Sequence, residues 1–252
     1  TASGWHAAST GYGSIASGDQ TIASGQSSTA SGWHATATGA SSTASGDQTI
    51  ASGQSSTASG WHAASTGYGS IASGNHSLAS GMNSTASAWY STASAHNSTA
   101  SGAASIAAAN YSEARTYSEI QFGTYVDTVS LGLLSDTSAT AFSAPDALFV
   151  IGNGTADDAR SNALIIRKDG SASFTDSVYV GGNLVVAGNS DLNGTLDVTG
   201  ATGVDGDFDV ASTMFTVASG TGNTAIAGTL GVTGVATLAT VDINGGSIDG
   251  TT

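Results

Sequence analysis

The sequence predicts an all-β protein made of repeats. The first half reads as a parallel β-solenoid and the second as a series of short strands. Three observations carry this. A seven-residue register runs from Thr1 to Val126 without an insertion. Glycine recurs within it every seventh residue, and each glycine costs a helix about 1 kcal/mol relative to alanine. Beyond Ala147, short apolar alternations are separated by turn dipeptides.

The register divides residues 1–126 into 18 heptads, among them TASGWHA, IASGDQT and IASGQSS. Alanine holds the second position in 15 heptads and glycine the fourth in 14, with Ala88, Ala95 and Ala109 as substitutes. The seventh position is mostly Ser or Thr. A coiled coil needs large aliphatics at two of the seven positions and good helix formers between them, and neither is present. An x-Ala-Ser strand followed by a glycine turn, where φ > 0 is available, meets the pattern. Stacked at a fixed period, such units form a solenoid in which each buries its face against its neighbours.

A second period of 28 residues lies on the first. Trp5, Trp33, Trp61 and Trp89 share one heptad position, and His6, His34, His62 and Tyr90 follow them. With two heptads per coil, the four Trp fall on one face about 9.6 Å apart, two strand spacings. Asp19, Asp47 and Asn75 occupy the coils between. The opposite face carries Tyr12, Gln26, Ala40, Gln54, Tyr68, Met82 and His96.

Residues 1–126 resemble the head of YadA-like trimeric autotransporter adhesins. The resemblance lies in repeated S-x-A-x-G units: Ser14-Ile15-Ala16-Ser17-Gly18, Thr21-Ile22-Ala23-Ser24-Gly25 and Ser70-Ile71-Ala72-Ser73-Gly74. It implies two units per coil and a homotrimer of left-handed parallel β-rolls. The family usually has a second aliphatic before the glycine, where this chain has Ser17, Ser24, Thr38 and Ser52. The core is therefore expected to rest on Ile15, Ile22, Ile50, Ile71 and Leu78 together with the alanine column. So little apolar area per residue favours association over a free monomer.

Composition shifts near Glu113. Residues 127–176 read as a connector with short strands, among them ALFVIG before Asn153-Gly154 and NALIIRK before Asp169-Gly170. Residues 177–252 read as a glycine-rich shaft, with alternation at Leu184/Val186, Leu196/Val198, Phe208/Val210 and Leu230/Val232. Strands this short do not close a core in one chain, so a triple β-spiral or β-prism is expected. The segments ALFVIGNGTADDARSNALIIRKDGSASF and GTLGVTGVATLATVDINGGSIDGTT are similar to phage tail fibres. The chain opens on Thr1, as expected of a processed product or a fragment.

Charge excludes several functions. The 252 residues hold 4 Lys+Arg against 18 Asp+Glu, a net −14. Such a chain does not neutralise a phosphate backbone, so no nucleic-acid partner is expected. An anionic membrane surface repels it. No run approaches the ~18 apolar residues of a membrane span, so no membrane insertion is expected within this segment. A catalytic centre is not expected either. All five His lie at heptad turns, and no G-x-S-x-G elbow occurs.

Two candidate sites remain. The ladder Trp5, His6, Trp33, His34, Trp61, His62, Trp89 and Tyr90 can bind a receptor or glycan, since aromatic rings offer large area at low entropy cost. Alternatively each Trp folds over its glycine turn and shields the thin core, or the ladder bundles fibres. Asp205, Asp207 and Asp209 share a strand face, which three chains would bring to one level as oxygen ligands for calcium. A solvated acidic face is the simpler account of that triplet. No other cofactor is expected. The expected function is a trimeric, extracellular attachment fibre of the phage or injection-system tail-fibre type. A bacterial cell-surface adhesin is the first alternative, and an extracellular filament without a ligand the second.

Overall fold

The computed structural model describes residues 1–129 and 137–199, and residue 235. The described residues form strands, turns and bends, and no helix. The chain divides into two units, Thr1–Leu184 and Val185–Thr252.

In the first unit, 18 strands of two to five residues run from Ala2–Ser3 to Ile120–Thr124. They alternate between two parallel sheets, one of 9 strands and one that reaches 12. Pairing joins residues 14 apart, as in Ala16↔Ala30 and Ile22↔Thr36. The expected coil of two heptads is therefore the observed one, and about nine coils stack.

The alanine column lies at the centre. Sixteen buried alanines make the main core cluster, which contains no larger side chain. The expectation that Ile15, Ile22, Ile50, Ile71 and Leu78 share this core is corrected. They are 38–47 % exposed on the outer faces of the sheets. Side chains alternate across a strand, so an inward alanine at the second position turns the first position outward. Two sheets this close leave no room for a longer side chain between them.

Buried hydroxyls complete the interior. The seventh-position Ser28 and Ser42 are buried, and their Oγ donate to the carbonyls of Gly25 and Gly39 at 2.8 and 2.7 Å. Ser65 stands in the alanine column and donates to the Ser70 carbonyl at 2.8 Å. Most of these hydroxyls are thus paired inside, as burial favours, with Ser56 and Ser77 Oγ as the exceptions.

The glycine expectation is corrected in part. Positive φ falls mainly on the sixth residue of the heptad, at about +55° in His34, Gln48 and His62. Among the fourth-position glycines of the solenoid, only Gly4, Gly18, Gly32 and Gly123 have φ > 0. Elsewhere glycine is required by close approach between coils. A Cβ on Gly53 would lie 2.0 Å from the Gly67 carbonyl oxygen.

The segment expected to be a connector completes the second sheet. Ile120–Thr124 pairs in parallel with Ala147–Asn153. Asn162–Arg167 and Ala172–Phe174 then add antiparallel strands. Gly170, with φ of +87°, turns the last hairpin. Here the core changes character. Glu119 and Gln121 replace the small residues and are fully buried. The Gln121 amide donates to the Glu113 carbonyl at 2.9 Å and to Glu119 Oε1 at 2.6 Å. Lys168 Nζ reaches Asp146 Oδ2 at 3.3 Å, with both side chains withdrawn from water. A non-repeating cap of this kind covers the last coil, the arrangement a solenoid end needs.

Residues 177–199 contain no strand in the single chain, and Leu184, Val186, Leu196 and Val198 are exposed. The remainder of the expected shaft, 200–252 apart from Val235, lies outside the described residues.

Candidate functional site

Each coil edge is a four-residue turn from the fourth to the seventh heptad position. In most turns the seventh N–H donates to the fourth carbonyl, as Ser42 does to Gly39 at 3.2 Å and, on the Trp edge, Ser77 to Gly74 at 3.2 Å. Successive turns are also tied together. The sixth N–H donates to the fifth carbonyl of the preceding coil: Gln48 to Trp33 at 2.7 Å, His62 to Asp47 at 2.9 Å, His76 to Trp61 at 2.7 Å. The side chains of the fifth and sixth positions thus form two parallel columns along the edge, on a backbone bonded at every step.

The four Trp fall on one edge, as expected. Trp5, Trp33, Trp61 and Trp89 are 67, 44, 46 and 59 % exposed, and none is among the side chains packed against the alanine cluster. Each of the first three meets the His that follows it edge to face, with ring centroids 4.3, 4.1 and 4.5 Å apart.

The four positions are not equivalent. Gln20 and Gln48 separate the Trp5–His6 and Trp33–His34 pairs from the coils above. In the next intervening coil the pair is Asn75-His76 instead, and the rings become continuous. His76 stacks on His62 at 4.9 Å and 9°, and on Tyr90 at 4.8 Å and 11°. It also meets Trp61 at 4.8 Å. Trp89 lies 5.1 Å from Tyr90. In the other column, Asn75 Oδ1 accepts the Trp61 N–H at 3.1 Å. Asn75 and His76 were not among the expected site residues. The change from Asp-Gln in two coils to Asn-His in the third was the available signal.

On the opposite edge Tyr12 and Tyr68 stand exposed without a ring partner among the described residues, and stacked rings occur only near the cap. Tyr111 stacks on Tyr125 at 4.7 Å, and Arg160 lies 6.0 Å from the Tyr125 ring centre. A cleft of about 330 Å³ beside them is lined by Asn97, Tyr111, Glu113, Arg115 and Arg160, among others. Both cations are engaged within the chain. Arg115 pairs with Glu113, and Arg160 Nη1 donates to the Tyr111 carbonyl at 2.7 Å.

The buried Glu119 carboxyl is held above the usual glutamate range, because burial penalises its charge more than its hydrogen bonds relieve it. Its Oε2 accepts N–H bonds from Arg115 and Thr116, both at 2.9 Å. It faces the cap and not solvent, which is a structural arrangement. Among the described residues, no group of three or more His, Asp or Glu is placed to hold a metal. Asp205, Asp207 and Asp209 lie outside the described residues. No helix among the described residues is long and apolar enough to cross a membrane.

Three stretches of the chain, residues 9–35, 37–63 and 65–87, match the family model of the YadA head domain repeat in two copies. All three lie within the solenoid and together cover less than half of the chain. No curated protein matches it.

Proposed function

We propose, from a solenoid that carries YadA head repeats, that this chain is the head of an extracellular trimeric adhesin. Its role is attachment and not catalysis. The observation that carries the reading is the edge of exposed indoles. Four large aromatic side chains, held at a fixed interval on a hydrogen-bonded edge, contribute nothing to the core. Exposed apolar residues grouped in this way mark an interaction surface. The repeat match favours a cell-surface adhesin. The tail-fibre alternative rests on the glycine-rich second half, most of which lies outside the described residues.

The two sheets differ in a way that supports self-association. The 12-stranded sheet turns Ile22, Ile50, Leu78 and Ile106 outward at every second strand, with Thr36, Ala64 and Thr92 between them. That is a column of aliphatic ridges and small-residue gaps. The 9-stranded sheet turns out mainly threonine, with Ile15 and Ile71 as the apolar exceptions. The first is the natural trimer face, because an alanine-only core buries little area per chain.

Adhesion tests the reading. The folded chain is applied to cultured cells and to matrix-coated surfaces, beside a variant with all four Trp replaced by Ala. Saturable binding by the chain and its loss in the folded variant are expected. Equal binding by both removes the edge from the contact.

A further inference from the structure

We infer that the adhesive edge is concentrated at residues 61–90, as one platform for a neutral glycan. The inference rests on the adhesive reading above and names its ligand class. Six side chains from three successive coils form the platform in two columns. One column is Trp61, Asn75 and Trp89, the other His62, His76 and Tyr90. His76 joins them, since it touches His62, Trp61 and Tyr90 within 4.9 Å.

The chemistry selects the ligand. Trp61, Trp89 and Tyr90 are each about half exposed and offer apolar ring surface to the C–H face of a sugar. Asn75 lies exposed between the two indoles. Its carbonyl is tied to the Trp61 N–H, which fixes the amide and leaves its NH₂ to donate to a hydroxyl. None of the six carries a charge with His neutral, so nothing there neutralises an acidic sugar. The chain's net −14 opposes one as well. The indoles stand about two strand spacings apart, ~9.6 Å along the axis. A linear oligosaccharide lying along the solenoid presents one ring to each.

The N-terminal pairs differ on both counts. Trp5 and Trp33 alternate with Asp19 and Asp47, which bring charge, and Gln20 and Gln48 interrupt the rings. Trp–His pairs by themselves therefore do not make the site.

The test is an array of neutral, sialylated and sulfated oligosaccharides probed with the full chain and three variants. They are W61A/W89A, W5A/W33A and His76→Asn, the last because asparagine adopts the φ > 0 that this turn needs. Circular dichroism and melting establish that each variant is folded. Signal on neutral glycans is expected, reduced at least tenfold in W61A/W89A and several-fold in His76→Asn, and retained in W5A/W33A. Equal loss in W5A/W33A, or signal confined to acidic glycans, overturns the platform. No glycan signal from a chain that still adheres to cells overturns the glycan and leaves the adhesive reading. Loss of both removes both.

Discussion

The coils of residues 1–87 and the end of the solenoid, residues 88–174, solve one problem by opposite means. In the coils, alanine, short hydroxyl side chains and backbone bonds fill a narrow interior. Every coil is both template and lid for its neighbours. The last coil has no further repeat to cover it, and there the interior acquires Glu119, Gln121 and the buried Asp146–Lys168 pair. Repetition spreads stability over many weak, equivalent contacts. Termination concentrates it in a few particular buried polar groups. A solenoid can therefore be extended cheaply but must be ended by particular residues.

The sharpest break in that comparison is Lys168→Met. It leaves the Asp146 carboxylate buried without its cation, which costs about 3–5 kcal/mol. Denaturant titration reads the loss, and hydrogen exchange should show it first in strands 147–153 and 162–167. Adding Asp146→Asn should recover much of it, since a neutral pair avoids the stranded charge. If Lys168→Met leaves stability unchanged, the cap is not held by the pair.

In the coils the counterpart is Gly53→Ala. Its Cβ would lie 2.0 Å from the Gly67 carbonyl oxygen, so the coils must separate. Overpacking of this kind costs about 1–3 kcal/mol. Melting of the variant checks it, and exchange protection should fall on both sides of residue 53 but not in the cap. Next in size is association. Ile50→Ser with Leu78→Ser should leave the fold of a chain intact, because both side chains are outside the core, yet weaken the proposed trimer severalfold. Analytical ultracentrifugation across a dilution series reads that directly. An unchanged mass distribution would exclude the 12-stranded sheet as the trimer face.

The smallest expected effect is a pH slope. Glu119 titrates above the usual glutamate range in the folded chain. The folded state therefore binds the proton more tightly than the unfolded one. Stability from this group is full below the ordinary glutamate value and declines as pH rises through the raised one. Melting temperatures measured across that window should fall with pH, and Glu119→Gln should flatten the slope whatever its absolute stability.

Much of this was legible in the sequence because a period is a local property. The heptads fixed the coil length, since two x-Ala-Ser strands need two turns to return. The alanine column marked the inner position, and the 28-residue interval put the indoles on one edge. Strands 147–153 and 162–167 were marked by their apolar runs and turn dipeptides. The outward direction of Ile22 and Ile50 was missed, although strand alternation around an inward alanine requires it. The role of glycine was misread, because a need for φ > 0 and a need for bare space leave the same letter in the sequence.

By itself the sequence determined what repeats and how often: strand, turn, inward alanine, edge aromatic. The tertiary structure alone decided what meets across coils. The stack of His62, His76 and Tyr90 joins residues 14 apart, and the ion pair of Asp146 with Lys168 joins residues 22 apart. Such contacts depend on how φ > 0 at each sixth residue aims a side chain, and on where the chain turns back after the last coil. Neither is a property of any residue and its near neighbours. Both follow from the stacking of one coil on the next.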